Sequence, residues 1–348
     1  TGAVASVDDK AIKDRPVSNV GQALQGKVSG VQIIDAGKPG DNVTIRVRGL
    51  GTINNSEPLI VIDGVPTDLG LSSINTADID RIDVLKDASA TAIYGARGAN
   101  GVVMVTTKRG TAGKGKVSVD ANWAMKQVSY IPPMLNAAEY AEYSNDMLSS
   151  VGQATNPLWA DPSAITESTD WINELLQTGL LQNYSLSWSG GNDKNKFYIS
   201  GGFQDHKGII KTVNYKRFTF QANSDNQVSD WLKFTSSVTF STDTKTQGSY
   251  SISSALNALP TQPVKAEDGS WSGPEGNALW YGDVRNPVGT LYTDSNKTDG
   301  YNFLANVSAE IKFCKWLRFK STFGYDAKFW FDDNFYSAYP YKPTPVEE

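Results

Sequence analysis

A strict alternation of apolar and polar residues begins near residue 117 and recurs almost to the carboxyl end of this chain. In a typical segment, Tyr184, Leu186 and Trp188 alternate with asparagine and serine. A period of two residues is the pattern of a β-strand with one apolar and one polar face. Seven segments follow it, each long enough for the ~9–11 residues of a tilted membrane strand. Their apolar faces begin at Val117, Tyr184, Phe197, Phe218, Leu232, Tyr301 and Leu317.

This alternation fits both a soluble β-sandwich and a membrane β-barrel, and taken alone it favours the sandwich. Three further features favour the barrel. The polar faces are rich in Asn, Ser, Thr and charged residues, as a wet lumen requires, and the tight turn 192–195 contrasts with the long links 126–180 and 245–299. A third feature is a set of tryptophans at strand ends, where an interfacial girdle would lie. These are Trp123, Trp188, Trp231, Trp316 and Trp330.

The first 112 residues have a different pattern, in which short strands and helices alternate. Ser18 is a predicted cap for a helix that carries Val20, Leu24 and Val28 on one face. Strands are predicted at VQIID, VTIRVRG, LIVIDGV and RIDVLKD. A helix is predicted from Ala88 to Tyr94 with Asp87 as its cap, followed by a strand from Val102 to Thr107. The pattern indicates a small α+β domain of ordinary size.

Composition excludes several classes of function. The net charge of −5 gives no basic surface for nucleic acid. With one histidine and one cysteine, the chain cannot supply a His-rich zinc site or an internal disulfide. We interpret His206 as a surface or loop residue. The Gly-rich stretches RGLG and GARGANG lack the Gly-Lys-Ser/Thr of a phosphate loop. We therefore predict no catalytic residues, no metal and no cofactor.

The N-terminal domain carries a specific resemblance. The stretches GKVSGVQI, TIRVRGLGTINNSEPLIVIDGVP and DIDRIDVLKDASATAIYGARGANGVVMVTTKRG resemble the plug domain of TonB-dependent outer-membrane transporters. The sequences NNSEPLIVIDGVP and DASATAIYGARGANGVVMVTTK are similar to those of the SusC-like branch of this family. The resemblance implies an α+β plug domain at residues 1–112. It also implies that residues 113–348 are antiparallel strands of an incomplete transmembrane β-barrel with long extracellular loops, in a protein of about 22 strands.

Seven strands cannot close such a barrel, and an open edge in lipid would leave backbone groups unpaired. We therefore expect the chain to be the N-terminal part of a longer transporter, with a TonB-contacting segment before Thr1. The resemblance implies import of an oligosaccharide or a peptide across the outer membrane of a Gram-negative bacterium. The TonB-ExbB-ExbD complex would supply the energy, and a SusD-like lipoprotein would assist at the surface. The alternative is a soluble carbohydrate-binding protein with an α+β domain and a β-sandwich.

Two groups of residues are candidate functional sites. Asn54, Asn55 and Ser56 form a polar loop between two predicted strands, and they would contact the substrate if that loop faces outward. An ordinary turn is the alternative. Gly110, Gly113 and Gly115 lie where the plug would join the first barrel strand and are candidate hinge residues.

The barrel interpretation also predicts which side chains face lipid. An arginine on the lipid face should cost ~2–4 kcal/mol at the midplane of the bilayer. In contrast, we expect arginine at Ser185 or Thr219, on the polar face, to be tolerated. The residues expected to face lipid are Tyr184, Leu186, Phe218, Phe220, Phe234 and Phe303.

Overall fold

The structure is a computed structural model that describes residues 4–13, 17–47, 49, 56–87, 91–274 and 278–338. Within these ranges the chain forms an N-terminal α+β domain and a seven-stranded antiparallel sheet. No helix in the described ranges is long and apolar enough to cross a membrane.

The N-terminal domain is built on a five-stranded sheet with the strand order β1-β6-β7-β4-β5. Strand β7 lies between β6, which it pairs with antiparallel, and β4, which it pairs with parallel. The bounds of these strands are β1 Val4–Asp8, β4 Leu59–Ile62, β5 Val65–Thr67, β6 Ile79–Leu85 and β7 Val102–Thr107. A separate two-stranded sheet is formed by β2 Val31–Ile34 and β3 Thr44–Val47.

The central strands of this domain are buried on both faces. Val102, Val103 and Val105 of β7 are all fully buried, although adjacent residues of a strand point to opposite sides. This burial explains the nearly continuous run of apolar residues in the strand. The strand predicted at Val102 to Thr107 is therefore confirmed.

The helices of this domain are shorter than predicted. They are α1 Asp9–Lys13 and α2 Val20–Leu24, with 3₁₀ turns at Leu71–Ser73, Thr76–Asp78 and Ala92–Gly98. The cap of α2 is Asn19, whose Oδ1 accepts a hydrogen bond from Gln22 N at 3.0 Å. Ser18 instead donates its hydroxyl to Gln22 Oε1 at 2.9 Å, so the predicted cap was wrong by one residue.

The helix predicted from Ala88 to Tyr94 is also different in the structure. Residues 88–90 lie outside the described ranges, and the chain from Ala92 forms a 3₁₀ turn rather than an α-helix. Gly95 interrupts this turn with a φ of 56°. A positive φ is readily adopted by glycine and breaks the regular hydrogen-bond pattern.

The second unit is a simple antiparallel meander in which every strand pairs with its neighbours in sequence. All seven predicted strands are present, and the predicted fold class is confirmed. The strands are β8 Gly113–Lys126, β9 Gly179–Gly191, β10 Asn195–Lys207, β11 Asn214–Ser229, β12 Leu232–Thr246, β13 Ser295–Cys314 and β14 Leu317–Phe335.

The links at one end of the sheet are all tight turns, whereas two of the three links at the other end are long. Residues 192–194, 230–231 and 315–316 are tight turns, whereas 127–178 and 247–294 are long links. We call the end that carries 127–178 and 247–294 the long-loop end. The long links contain the helices α3 Ala137–Ser150, α4 Trp171–Leu175, α5 Ile252–Asn257, α6 Ala278–Tyr281 and α7 Pro287–Thr293, and the 3₁₀ turns Pro157–Trp159 and Pro162–Ala164.

The two long links pack on each other through their own apolar cluster. Trp171 and Leu175 of α4 contact a cluster that includes Val288 and Leu291 of α7. The indole of Trp171 donates to the carbonyl of Leu259 at 2.8 Å, which ties one link to the other. The long links are thus folded over the long-loop end.

Candidate functional site

Strands β10 to β13 of the seven-stranded sheet bury their polar face and largely expose their apolar face. In β11, Thr219 is only 3% exposed, whereas Phe218 and Phe220 are 46% and 37% exposed. The same relation holds in β13, where Asn302 and Asn306 are buried between exposed Tyr301 and Val307. A soluble sandwich would bury the apolar side chains instead. The β-sandwich alternative is therefore wrong.

The N-terminal domain covers the polar face. Leu304 of β13 joins the apolar core of the N-terminal domain, and the backbone and side chains of both units are joined by hydrogen bonds. The predicted outward residues do turn away from this contact: Tyr184, Leu186, Phe218, Phe220 and Phe234 are exposed, and Phe303 is partly exposed.

The contact of the N-terminal domain with the polar face contradicts one prediction. We expected arginine to be tolerated at Ser185 and Thr219, because a wet lumen would accept it. Both residues are buried, and Thr219 lies beside Asn75 of the N-terminal domain near Gly202. An arginine there would displace packed groups instead of entering water, so tolerance at these two positions is not expected.

The first cluster of the interface is centred on Asp63, in the turn between β4 and β5. Its carboxylate is almost fully buried and accepts from Thr107 N at 2.9 Å and Thr107 Oγ1 at 2.6 Å. It also accepts from Ser237 Oγ of β12 at 2.9 Å. Asp63 has a φ of 48°, in the left-handed region that aspartate tolerates better than most residues. One carboxylate thus joins two strands of the N-terminal domain to the sheet.

Neighbouring amides extend the Asp63 cluster across the sheet. Asn223 Nδ2 donates to Thr107 Oγ1 at 2.8 Å and to the carbonyl of Lys108 at 2.6 Å. Gln221 Nε2 donates to Asn223 Oδ1 at 2.7 Å, and Thr239 Oγ1 donates to Gln221 Oε1 at 2.6 Å. Buried polar networks of this kind stabilise one arrangement strongly when their members are paired.

A charged group follows where the chain leaves the N-terminal domain. Arg109 lies 3.9 Å from the carboxylate of Asp63 and 3.8 Å from that of Asp225 on β11. It also donates to the carbonyl of Ser236 at 3.3 Å. Lys233 lies 3.5 Å from the same Asp225 carboxylate. The exit of the chain is therefore tied to the sheet by charges as well as by neutral groups.

A second cluster surrounds Asp78. The phenol of Tyr198 on β10 donates to Asp78 Oδ1 at 2.8 Å. The backbone N–H of Lys108 donates to the carbonyl of Asp78 at 2.8 Å. Burial raises the pKa of the Asp78 carboxyl, while hydrogen bonds from Ser200 and Tyr198 and the charge of Lys108 oppose this rise. Asp78 is thus a nearly buried acid held between the two units.

Glycine allows the closest approach between the units near this cluster. A Cβ at Gly202 of β10 would lie 2.1 Å from Asn75 Nδ2. The guanidinium of Arg217, on the neighbouring strand, donates to the carbonyl of Ser72. These contacts place the turn that precedes Asp78 directly against β10 and β11.

The interface continues to the long-loop end. There, Gly40 lies against the ring of Tyr215, since a Cβ at Gly40 would be 2.3 Å from Tyr215 Cδ2. The ammonium of Lys245 pairs with Asp41. Lys38 lies 5.7 Å from the ring centroid of Tyr250 in the second long link. The segment from Lys38 to Asp41 therefore contacts both the sheet and a long link.

A cleft of about 280 Å³ opens beside this contact. The N-terminal domain lines it with Asn42, Ser72 and Ser73, and strands β11 to β14 supply the opposite side. The residues from the strands include Tyr215, Asp243, Thr298, Asn302, Lys328 and Trp330. Trp330 does not belong to an outward girdle as predicted, because it pairs with Gly300 on the polar face of the sheet. Trp123 and Trp188 do face outward.

The predicted ligand loop is only partly described. Asn54 and Asn55 lie outside the described residues, and Ser56 is half-buried. The next residues, Glu57 and Pro58, line a larger cleft of about 540 Å³ together with Asp68, Arg97 and Asn100. A ligand role for this loop stays a prediction.

The three candidate hinge glycines have different surroundings. A Cβ at Gly110 would lie 2.3 Å from the backbone nitrogen of Phe197, so this residue is closely packed on β10. Gly113 has a φ of 131° and open space around it, and it is the first residue of β8. A Cβ at Gly115 would lie 2.8 Å from the Trp188 indole nitrogen. A hinge at these positions stays a prediction.

The interpretation of His206 as a surface or loop residue is wrong. It lies on β10 and is fully buried on the polar face. It has the same parity along the strand as Tyr198 and Gln204, which are also buried. Within the described residues, no group of three or more His, Cys, Asp or Glu side chains is arranged to hold a metal ion.

Comparison with known proteins identifies a matching domain family and several relatives of this chain. The family model described as "TonB-dependent Receptor Plug Domain" matches residues 1–102. TonB-dependent receptor P26 of Formosa agariphila is 40% identical over 336 residues, which are 94% of this chain and 33% of that protein. TonB-dependent receptor SusC of Bacteroides thetaiotaomicron is 32% identical over 347 residues, with 90% of this chain and 34% of SusC covered. The chain thus spans about one third of these relatives.

Solved structures share the fold. The RagAB peptide importer in its closed-closed state aligns with a TM-score of 0.81 and 23% identity, over 94% of this chain and 41% of that chain. The unliganded ferric citrate transporter FecA aligns with a TM-score of 0.57 and 14% identity, over 94% of this chain and 40% of that chain. Both likenesses concern the arrangement of an N-terminal domain and barrel strands.

Proposed function

We propose that this chain, which belongs to the SusC-like TonB-dependent receptors, forms the plug and the first seven wall strands of an outer-membrane nutrient importer. The family consists of receptors and not of enzymes. In this role the N-terminal domain is the plug, and the long-loop end faces the outside of the cell. The polar face of the sheet then lines the lumen, and its apolar face contacts lipid.

The observation that carries the proposal is the inverted burial of the sheet. Polar side chains such as Gln221 and Asn223 are buried against the plug, and aromatic side chains such as Phe218 are exposed on the other side. Lipid is the solvent that suits a continuous aromatic and aliphatic outer surface. The plug fills the lumen, so a substrate cannot pass while both interface clusters are closed.

The proposed energy source lies outside the chain. Opening the lumen requires the Asp63 and Asp78 clusters to separate from β10, β11 and β12, and each leaves buried polar groups without partners. The sequence contains no phosphate loop that could bind a nucleotide for this work. The TonB-ExbB-ExbD complex would therefore pull on the plug, with movement at Gly110, Gly113 and Gly115.

The proposed substrate is an oligosaccharide or a peptide, delivered with the help of a SusD-like surface lipoprotein. Similarity to SusC supports this partner, and the likeness to a structure named as a peptide importer keeps the peptide in consideration. The substrate would reach the plug from the long-loop end. There it would meet the cleft beside Tyr215 and, if the loop faces outward, the loop of Asn54, Asn55 and Ser56.

The proposal is tested with the full-length receptor in its native cell. We expect the receptor in the outer-membrane fraction, soluble only with detergent, and we expect deletion of its gene to abolish uptake of its nutrient. Deletion of tonB should abolish uptake while leaving binding at the cell surface unchanged. A receptor found in the soluble fraction, or uptake that continues without TonB, would contradict the proposal.

A further inference from the structure

The link between β10 and β11, residues 208–213, contains a strained residue, and we call this link the β10–β11 turn. Thr212 has a φ of 68°, and among the described residues only Asp63 is another non-glycine residue with a positive φ. Aspartate tolerates this region, whereas a positive φ in a β-branched residue such as threonine is a true outlier. Such strain persists only where the surrounding structure holds the residue in place.

The first long link holds the β10–β11 turn by hydrogen bonds. The backbone N–H of Lys211 donates to the carbonyl of Leu175 at 2.9 Å. The side-chain amide of Gln177 donates to the carbonyl of Gly208 at 3.0 Å and to that of Ile210 at 3.2 Å. Three backbone groups of the turn therefore have their partners in this link, so the shape of the turn depends on the position of the link.

The second long link packs directly on the strained residue. A Cβ at Gly248 would lie 2.8 Å from Thr212 Oγ1, so the backbone of this link passes very close to the hydroxyl. The next residue of the turn, Val213, shares an apolar cluster with Leu291 of α7. Thr212 Oγ1 is buried and has no hydrogen-bond partner among the described residues. Packing, and not a hydrogen bond of the hydroxyl, therefore keeps Thr212 in this conformation.

The plug contacts the same turn. A Cβ at Gly208 would lie 3.2 Å from Pro39 Cγ, which is closer than an ordinary contact. The next plug residue, Gly40, lies against the ring of Tyr215, two residues beyond the turn on β11. A change of conformation within the turn would therefore shift the surface on which Pro39 rests. Both long links and the plug thus meet at the β10–β11 turn.

We propose that the β10–β11 turn is a strained coupling element, through which the long links control how firmly the wall holds the plug. While both links are folded over the turn, Thr212 stays in the left-handed region and Pro39 keeps its contact. When the links rearrange, Thr212 relaxes to a negative φ, the turn shifts, and the plug segment 38–41 is released. This inference rests on the proposed import function for its role in uptake, whereas the coupling itself is a property of the folded receptor.

Strain is what gives the coupling its direction. A turn without strain would keep its shape when the links loosen, because nothing would drive it to another conformation. Glycine adopts a positive φ as readily as a negative one, so Thr212→Gly should separate the plug from the state of the links. Thr212→Val keeps a β-branched side chain and therefore keeps the strain. The two variants thus differ in the property that the coupling requires.

The test measures hydrogen exchange of residues 38–43 of the plug in the purified full-length receptor. Gln177→Ala removes two hydrogen bonds to the turn and so loosens the first long link there. Asn173→Ala is the matched control, because the Asn173 side chain bonds to Asp170 within the same link. Both variants are made with the natural Thr212, with Thr212→Gly and with Thr212→Val. Only receptor in the folded, heat-modifiable form is compared, and uptake is measured separately in cells.

We expect Gln177→Ala to accelerate this exchange about fivefold or more with Thr212 or Thr212→Val, and less than about twofold with Thr212→Gly. Asn173→Ala should leave the exchange unchanged in all three. Equal acceleration with Thr212→Gly, or no acceleration in any of them, would overturn the coupling element; TonB-dependent uptake would then still support the import function. The expected exchange pattern in a receptor without TonB-dependent uptake would support the coupling and contradict the import function.

Discussion

The phenol of Tyr198 donates a hydrogen bond to the buried carboxylate of Asp78 at 2.8 Å, across the interface between wall strand and plug. Asp78 belongs to the turn that precedes β6, and Tyr198 lies on the lumen face of β10. The contact joins the central sheet of the plug to the wall through one side chain on each side.

Removing the phenol should loosen the plug locally. Tyr198→Phe leaves a buried carboxylate without this donor, at a cost of ~1–3 kcal/mol. Hydrogen exchange of residues 76–85 in the full-length receptor should become faster by the corresponding factor. Tyr184→Phe is the matched control, since Tyr184 is exposed on the lipid face and its hydroxyl bonds to Trp123 and Gln182 of the wall strands. Equal protection in both variants would contradict the coupling role of Tyr198.

Asp78 should make plug stability depend on pH. Burial raises its pKa in the folded receptor above the unfolded value of about 4. The folded state therefore binds the proton more tightly than the unfolded state. The contribution of Asp78 to the free energy of unfolding is fully present below about pH 4 and is lost as the pH rises through the raised pKa. Lowering the pH from about 7 towards about 4 should slow exchange of residues 76–85 after correction for intrinsic rates.

Asp78→Asn should remove this dependence on pH, because the amide does not titrate. Asp268→Asn is the control: hydrogen bonds from Ser270 lower the pKa of Asp268, and the residue is exposed in the second long link. That variant should keep the behaviour of residues 76–85 unchanged. The same pH dependence in Asp78→Asn and in the natural receptor would assign the effect to another group.

Gly110 should be intolerant of a side chain for reasons of space. A Cβ at Gly110 would lie 2.3 to 2.7 Å from backbone atoms of Phe197, and backbone cannot easily move aside. Gly110→Ala should destabilise the contact of the plug exit with β10 by ~1–3 kcal/mol. Gly201→Ala on the same strand is the control, since nothing lies within 4 Å of its Cβ position. Unfolding of the two variants in denaturant should differ accordingly.

The lipid face should reject charge in the middle of the bilayer. Phe220→Arg, near the middle of β11, should cost ~2–4 kcal/mol and reduce the heat-modifiable, folded fraction of receptor in the outer membrane. Lys216→Arg, four residues nearer the long-loop end on the same face, keeps the charge already present and is the control. Equal assembly of both variants would contradict a lipid-facing position for Phe220.

The sequence predicted the wall strands well because their pattern is local. Phe218 and Phe220 alternate with Thr219 and Gln221, and this parity alone separates lumen from lipid once the barrel is assumed. The predictions for His206 and Trp330 were wrong, although the same parity indicated the lumen face for both. His206 shares the parity of Tyr198, and Trp330 lies between Phe329 and Phe331 of the lipid face, so both belong to the lumen.

Other features could not be predicted from local sequence patterns. Asp63 bonds to Ser237, 174 residues later in the chain, and no sequence signal links them. Burial of Ser185 and Thr219 depends on the plug lying against them, so a wet lumen was the wrong expectation for these positions. At the start of α2, Ser18 and Asn19 are both good caps, and propensity alone could not choose between them.

In the proposed mechanism, the plug must leave the wall for import. A Cβ at Gly202 would lie 3.2 Å from Asn75 Cγ, which is the position that the sulfur of a cysteine at residue 75 would take, so cysteines at these two positions lie within reach of a disulfide. The measurement is uptake of labelled substrate by cells that carry full-length receptor with Asn75→Cys, Gly202→Cys and Cys314→Ser, with and without reductant. Each single cysteine variant is a control. We predict that oxidation abolishes uptake and preserves binding at the surface, and that reductant restores uptake. Normal uptake by the fully cross-linked receptor would contradict a required movement of the plug.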